Sequence, residues 1–248
     1  MRYLVLSDIH SNLEALQAVL RASAAQRYDA VLVLGDLVGY GADPNAVVDC
    51  VRGLNPAAIV RGNHDKVAAA LDDAEDFNPM AKSAAHWTRE SLTPQTFEYL
   101  RALPAGPQIV DDMIEICHGS PLDEDLYVVA DIDAARSISV ARKPICLFGH
   151  THVAISARMD IQRCLFIDAP QGHPEFPTAI EADSKYLINP GSVGQPRDGD
   201  SRAAYAIADL GEKVVTLYRV AYPIEVAQKK ILDAGLPPML AYRLGMGR

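Results

Sequence analysis

Five short apolar runs in this chain each lead into residues that bind metal ions, and that coincidence constrains the fold more than any other feature. Tyr3-Leu4-Val5-Leu6 leads to Asp8-Ile9-His10, and Val31-Leu32-Val33-Leu34 leads to Gly35-Asp36. Ala58-Ile59-Val60 leads to Gly62-Asn63-His64-Asp65. Met113-Ile114-Glu115-Ile116-Cys117 leads to His118-Gly119, and Ile145-Cys146-Leu147-Phe148 leads to Gly149-His150-Thr151-His152. Each run has the length and composition of a buried strand. In open α/β sheets, sites form beyond the carboxyl ends of the strands. Asp36 falls in the middle of the set, which marks it as the shared, bridging ligand of a two-metal site.

Taken singly, each piece means little. A lone Asp-x-His is common, and one His after an apolar run is more often a hydrogen-bonded strand end than a ligand. Five such pieces, all at strand ends, point to a site. Residues two apart in an extended segment face the same way. Asp8 and His10 can therefore face one ion, and so can His150 and His152 where the chain stays extended. Carboxylate, imidazole and amide ligands together suit Mn²⁺, Fe, Zn²⁺, Ni²⁺ or Mg²⁺ rather than a thiolate site.

The spacing predicts a helix from Asn12 to about Gln26 between the first two strands. That is a βαβ crossover, so the strands should be parallel and adjacent. Pro44 opens a second helix, Asn45 to Leu54. Gly39-Tyr40-Gly41 lacks the third glycine of a dinucleotide fingerprint. Helical patterns fill 66–103, broken at Asn78-Pro79 and Thr93-Pro94, with His86 read as a helix-surface or packing residue. From about Gln108 the pattern turns to strands: Gln108–Val110, Met113–Cys117, Ile145–Phe148, Val153–Met159, Cys164–Ile167 and Tyr186–Ile188. Ala203–Asp209 and Val214–Val220 form a last hairpin. The order predicts an α/β fold: a four-layer α/β/β/α sandwich of two packed mixed sheets, with a dinuclear metal site at the strand carboxyl ends. A single domain spans 1–248. Residues 169–185, which include His173, read as an exposed insertion, and 223–248 as a C-terminal helix and tail.

The net charge of −9 argues against binding long nucleic acid, which calls for a basic face. It leaves a small anionic substrate open, since two bound divalent cations add positive charge locally. The four cysteines form no C-x-x-C pair, and Cys117 and Cys146 read as small buried hydrophobes. No secretory signal precedes the first strand, and no apolar run approaches the roughly 20 residues that span a bilayer. The expectation is a cytoplasmic protein without membrane contact. Its oligomeric state is open, with the insertion and the C-terminal helix as the surfaces best placed for contact.

The pieces Asp8-x-His10, Gly35-Asp36, Gly62-Asn63-His64-Asp65, His118 and Gly149-His150-x-His152 stand in the chain order of the calcineurin-like metallophosphoesterase superfamily. The resemblance runs from Met1 to about Gly194. Asp8-Ile9-His10-Ser11-Asn12 with Asn189-Pro190-Gly191-Ser192-Val193 resembles the compact bacterial phosphodiesterase branch. The resemblance implies that Asp8, His10 and His152 hold one divalent metal, that Asn63, His118 and His150 hold the other, and that Asp36 bridges. It implies a metal-dependent phosphoesterase, most simply a phosphodiesterase acting on a small phosphoester, by in-line attack of a metal-bridging hydroxide on phosphorus. His64 would protonate the leaving alkoxide, oriented by Asp65. Arg197 and, less strongly, Arg61 are candidates for binding phosphate oxygens. Asn12 is either a substrate contact or a helix cap, and the cap is the simpler reading. The alternatives are a phosphomonoesterase or protein phosphatase, or a non-catalytic scaffold of the same fold. A scaffold would be expected to lose ligands or His64, and this chain keeps both. An amidohydrolase would carry its His-x-His on the first strand and need eight βα units, whereas this chain carries it late.

Overall fold

A strand sends successive side chains to opposite faces, and the central strands of this chain are apolar on both. In the computed structural model, which describes residues 1–248, β1 (Arg2–Leu6) points Leu4 and Leu6 one way and Tyr3 and Val5 the other. Along β2 (Ala30–Val33), Val31 and Val33 face the first side and Leu32 the second. Both join β3 (Ala58–Ile59) in a sheet that is parallel here, with Leu6 level with Val33 and Val33 with Ile59. A second parallel set comprises β5 (Ile114–Ile116), β6 (Ile145–Leu147) and β10 (Lys185–Asn189), with Ile116 level with Leu147. These registers bring the ligand-bearing ends of β1, β2, β3, β5 and β6 to their common carboxyl side.

The remaining strands are β4 (Gln108–Ile109), β7 (Ile155–Met159), β8 (Leu165–Asp168), β9 (Glu175–Ala179), β11 (Ala203–Asp209) and β12 (Val214–Val220). One six-stranded sheet runs β3-β2-β1-β11-β12-β9 and the other β4-β5-β6-β10-β7-β8. β1 pairs antiparallel with β11, and β10 antiparallel with β7, so both sheets are mixed. Between the sheets lies a core of Val5, Leu32, Leu34, Ile114, Ile145, Leu147, Tyr186 and their neighbours. Helices cover the outer faces. Over the first sheet lie α1 (Leu13–Ser23), α2 (Pro44–Gly53), α4 (Pro79–Ser91), α5 (Pro94–Arg101), α7 (Ile224–Asp233) and α8 (Pro238–Met246). The short α3 (Asn63–Ala68) lies at the site, and α6 (Asp131–Val140) covers the second sheet against Cys146 and Phe148. This is the four-layer α/β/β/α arrangement read from the sequence. No helix is long and apolar enough to cross a membrane.

Two segments differ from the sequence reading. The 169–185 insertion is not only a loop. Glu175–Ala179 forms β9, an edge strand that pairs with β12, and Phe176 packs against the inter-sheet core. Pro177 is tolerated there because only one side of an edge strand needs its N–H groups. The tail beyond Pro237 is α8, with Pro238 in its first turn and Leu240, Ala241 and Leu244 buried. Cys117 and Cys146 are buried free thiols.

Candidate metal centre

The loops after the strands do not stay extended. Asp8, His10, Asp36, His150 and His152 all adopt left-handed backbone, with φ of 52°, 50°, 53°, 67° and 59°. Asp and His tolerate that region better than most residues. The turn breaks the period-two argument. His150 and His152 therefore face different ligand sets, and not one ion together as extended geometry would allow.

The first set is Asp8, His10, Asp36 and His152; the second is Asp36, His118 and His150. Asp36 belongs to both, and one of its oxygens does the sharing. Its Oδ2 lies 3.3 Å from His10 Nε2 and 3.5 Å from His118 Nε2. Its Oδ1 accepts from the His64 backbone N–H at 2.9 Å, which fixes the carboxylate plane. His10 Nε2 and His152 Nε2 are 3.0 Å apart, and His152 Nε2 is 3.5 Å from Asp8 Oδ1. His118 Nε2 and His150 Nδ1 are 3.1 Å apart. Ligand atoms around an ion with bonds near 2.1 Å stand about 3.0–3.4 Å from one another, so these separations fit a shared shell.

Three imidazoles have their tautomer set by a carbonyl. His10 Nδ1 donates to Val38 at 3.0 Å, His118 Nδ1 to Leu34 at 2.7 Å and His152 Nδ1 to Gln195 at 2.7 Å. Each Nε2 is thereby left as the atom facing the centre, the arrangement metal-bound histidines use. Burial holds His10 and His152 well below the usual imidazole pKa, and burial with His118 nearby holds His150 to about 3. Their lone pairs are free to bind. His118 goes the other way. Burial opposes its charge, but Asp36, then Asp8, and the Leu34 carbonyl lift it to about 10. Burial raises Asp8 to about 6, and Asp36 adds to that. Two buried carboxylates side by side demand positive charge, and divalent cations meet that demand. Asn63 Oδ1, at the head of α3, is buried with no hydrogen-bond partner, which suits it to the second set. The chemistry of this donor set suits divalent metal ions.

Close approach explains two of the glycines. A Cβ on Gly62 would lie 2.1 Å from Asp36 Oδ1, and one on Gly149 2.1 Å from Ser7 Oγ. Ser7 Oγ in turn donates to Asp8 Oδ2 at 2.6 Å. Sequence reasoning gave the Asn189–Gly194 stretch no structural task. Here Asn189 Nδ2 donates to the Gly149 carbonyl at 2.7 Å, and Ser192 Oγ to the Asp8 carbonyl at 2.7 Å. The stretch thus clamps two ligand loops from different sheets.

His64 belongs to neither ligand set. Its ring packs between Tyr40 and Phe77, with centroids at 4.3 and 4.6 Å, and its edge meets His10. Burial lowers its pKa to about 4. The expected orientation by Asp65 is corrected. Asp65 accepts from Gly62 N at 3.0 Å and Val38 N at 3.2 Å, so it shapes the loop and does not hold the ring. Asn12 is the helix cap and not a substrate contact. Its Oδ1 accepts from Ala15 N at 3.1 Å, its amide donates to Gly194 and Tyr222, and it is 4% exposed. Arg61 forks onto Glu124 at 2.9 and 3.1 Å, which takes it out of the candidate phosphate binders. Arg197 does reach the site rim, donating to the Tyr40 hydroxyl at 3.3 Å and Gln195 Oε1 at 3.1 Å. His86 and His173 are exposed and belong to neither ligand set.

A cleft of about 320 Å³ opens over Asn63, His64 and His150. Tyr40, Phe77 and Tyr127 give it aromatic walls, and Asp72, Asp76 and Asp125 add carboxylates. The Tyr127 ring lies against His150, with centroids 3.7 Å apart and planes tilted by 35°. Phe77 stands just before the Asn78-Pro79 break and Tyr127 in a stretch that forms neither helix nor strand, so no motif pointed to them.

The sequence model for the calcineurin-like phosphoesterase superfamily domain matches residues 1–213. A protein of Methanocaldococcus jannaschii, described as uncharacterized, is 34% identical over 252 residues, covering 98% of this chain and 97% of that one. The crystal structure of a metallophosphoesterase from Sphaerobacter thermophilus superposes with a TM-score of 0.88 at 39% identity, covering 100% of this chain and 99% of that one. A hypothetical protein from Pyrococcus horikoshii OT3 shares the fold, with a TM-score of 0.79 at 21% identity and coverage of 100% and 98%.

Proposed function

The chain belongs to the calcineurin-like phosphoesterase superfamily and is a metal-dependent phosphoric ester hydrolase, and from that premise we propose that it cleaves phosphodiesters of small molecules. The observation that carries the reading is the pair of ligand sets meeting at Asp36 Oδ2, with the His64 ring beside them and free of ligand duty. Asp8, His10 and His152 would hold one divalent ion, and Asn63, His118 and His150 the other, with Asp36 common to both. Such cations, manganese being one the donors suit, would supply a Lewis acid that acidifies bound water and offsets charge on the phosphoryl group.

The chain's own groups supply the rest. His64 presents its ring to the cleft; burial favours its neutral form, so it would take up a proton as the anionic substrate docks and pass it to the departing alkoxide oxygen. Its neighbours Tyr40 and Phe77 keep the imidazole upright without binding its proton. Arg197 offers its guanidinium fork to the non-bridging oxygens. The aromatic walls exclude water and receive one ester arm. A diester suits this cleft better than a monoester, because a monoester brings a second negative charge among Asp72, Asp76 and Asp125. The same carboxylates and the net charge of −9 speak against long nucleic acid. Free buried thiols at Cys117 and Cys146 agree with a cytoplasmic setting.

The test is hydrolysis of bis-p-nitrophenyl phosphate beside p-nitrophenyl phosphate by protein stripped with chelator and refilled with Mn²⁺, Ni²⁺, Mg²⁺ or Zn²⁺. Turnover should vanish on stripping and return on refilling, with the larger kcat/KM on the diester. A monoester preference would make it a monoesterase. No turnover in folded, metal-loaded protein would favour a scaffold.

A further inference from the structure

The cleft of about 320 Å³ over the metal centre has a lining of one electrical character. Asp72, Asp76 and Asp125 contribute carboxylates, Tyr40, Phe77 and Tyr127 contribute rings, and none of the eleven lining residues is Lys or Arg. Asp125 is paired with Lys66 of α3. Arg89 reaches the Asp72 loop from α4, but it spends its guanidinium on the Val67 and Asp72 carbonyls, at 2.9 and 3.1 Å. The Asp72 and Asp76 carboxylates are left without an ion pair. Arg197, bonded to the Tyr40 hydroxyl, is outside this lining.

Both walls are anchored. The Phe77 segment is held by Arg89 and by Asn78, whose Oδ1 accepts from Met80 N and Ala81 N at the start of α4. The Tyr127 segment is held by Arg61 and Lys66, which pair with Glu124 at 2.9 and 3.3 Å. His64 and His150 also line the cleft. They are 4% and 2% exposed, and each has a ring nitrogen without a partner, Nδ1 in His64 and Nε2 in His150. The cleft thus presents polar atoms that the protein itself does not satisfy. Carboxylates beside aromatic rings attract a cation. A metal ion is a poor occupant here, because Asp72, Asp76 and Asp125 do not converge as a ligand group in the way Asp8, Asp36 and the histidines do. An organic ammonium, whose charge is spread over a larger volume, meets rings and carboxylates without close coordination.

Resting on the phosphoesterase reading, we propose that this cleft takes the departing arm of the diester and that the arm carries a positive charge, a substituted ammonium joined by a short carbon link to the ester oxygen. The phosphoryl group is drawn to the metal centre and the ammonium to the carboxylates, so one zwitterionic substrate suits both ends. A water oxygen bonds to phosphorus as the bond from phosphorus to the amino alcohol's oxygen breaks. His64 protonates that oxygen, and the proton lost by the water goes to solvent, from which His64 is recharged. The products are the amino alcohol and a phosphate monoester.

Choline and 3,3-dimethylbutan-1-ol share a shape and differ in charge, so the pair tests the cleft separately from turnover. Titrated into metal-loaded protein and followed by ligand NMR, choline should bind about 2- to 30-fold more tightly, the range of a cation held by aromatic rings. Asp72→Asn combined with Asp76→Asn, both at exposed positions, should bring that ratio close to one. Turnover is read by phosphorus NMR on the methyl phosphodiesters of the two alcohols. The kcat/KM ratio should favour the choline ester to the same degree, with methyl phosphate as the product. Equal binding of the two alcohols, or tighter binding of the neutral one, overturns the proposal. So does a preference that the double variant leaves intact, or phosphocholine as the product. Preferential binding of choline by metal-loaded protein that hydrolyses neither ester nor bis-p-nitrophenyl phosphate would instead count against the parent reading.

Discussion

His64→Ala isolates proton delivery from metal binding, because the structure separates the two. The tie between residue 64 and Asp36 runs from the backbone N–H to Oδ1, at 2.9 Å, and survives the substitution. Asn63 and the other ligands are untouched, so both metals should remain. What is lost is a ring held 4.3 Å from Tyr40 and 4.6 Å from Phe77, at the floor of a cleft that water can refill. The stability cost should be about 1–2 kcal/mol, a melting shift of roughly 2–8 °C for a chain of this size. The kinetic cost depends on the leaving group. A general acid contributes about 10²- to 10⁴-fold when the departing oxygen is a poor leaving group, or roughly 3–5 kcal/mol of barrier. The assay compares a 3′,5′-cyclic nucleotide, which expels a sugar alkoxide, with bis-p-nitrophenyl phosphate, which expels a stable phenolate. His64→Ala and the shape-preserving His64→Gln should both lose at least about a hundredfold on the first and under about tenfold on the second. Equal losses on both substrates, with metal content intact by elemental analysis, would refute the role.

Two further outcomes follow from the site geometry. Asp36→Asn keeps the acceptor for His64 N but removes the charge shared by both ligand sets, so metal occupancy at the two positions should fall together. The fall should exceed the roughly 10- to 100-fold that accompanies loss of a supporting residue; elemental analysis reporting full occupancy would exclude the bridge. Arg61→Met breaks only the fork to Glu124, so KM for a diester should not change, and thermal melting should register a loss below about 1 kcal/mol.

The ligands were legible because they follow apolar runs, and a run of three to five such residues fixes where a strand stops. Their left-handed backbone was not legible, and it redistributes His150 and His152 between two sets. Side-chain duties toward the backbone were also hidden. Nothing in Gly-Asn-His-Asp distinguishes a carboxylate that holds an imidazole from one that holds Gly62 N and Val38 N, and Asp65 does the second. Asn12 offered both roles, and the free N–H groups of the first turn of α1 claimed it. The α8 helix was missed because Pro237-Pro238 reads as a stop, although Pro238 sits in a helix first turn, where proline is well tolerated. Strand β9 was hidden by Pro177, which only an edge strand admits.

The five ligands in left-handed backbone bear on how such a chain ages under mutation. At about 1 kcal/mol apiece they hold roughly 5 kcal/mol of unfavourable conformation, comparable with the whole margin by which small domains stay folded. In the metal-free protein, asparagine at Asp8 or Asp36 should recover part of that cost, whereas glycine at His10 would lose the ring packing against Tyr40 and His64. Asp8, His10, Asp36, His150 and His152 are thus held in these conformations by the structure around them and not by local preference.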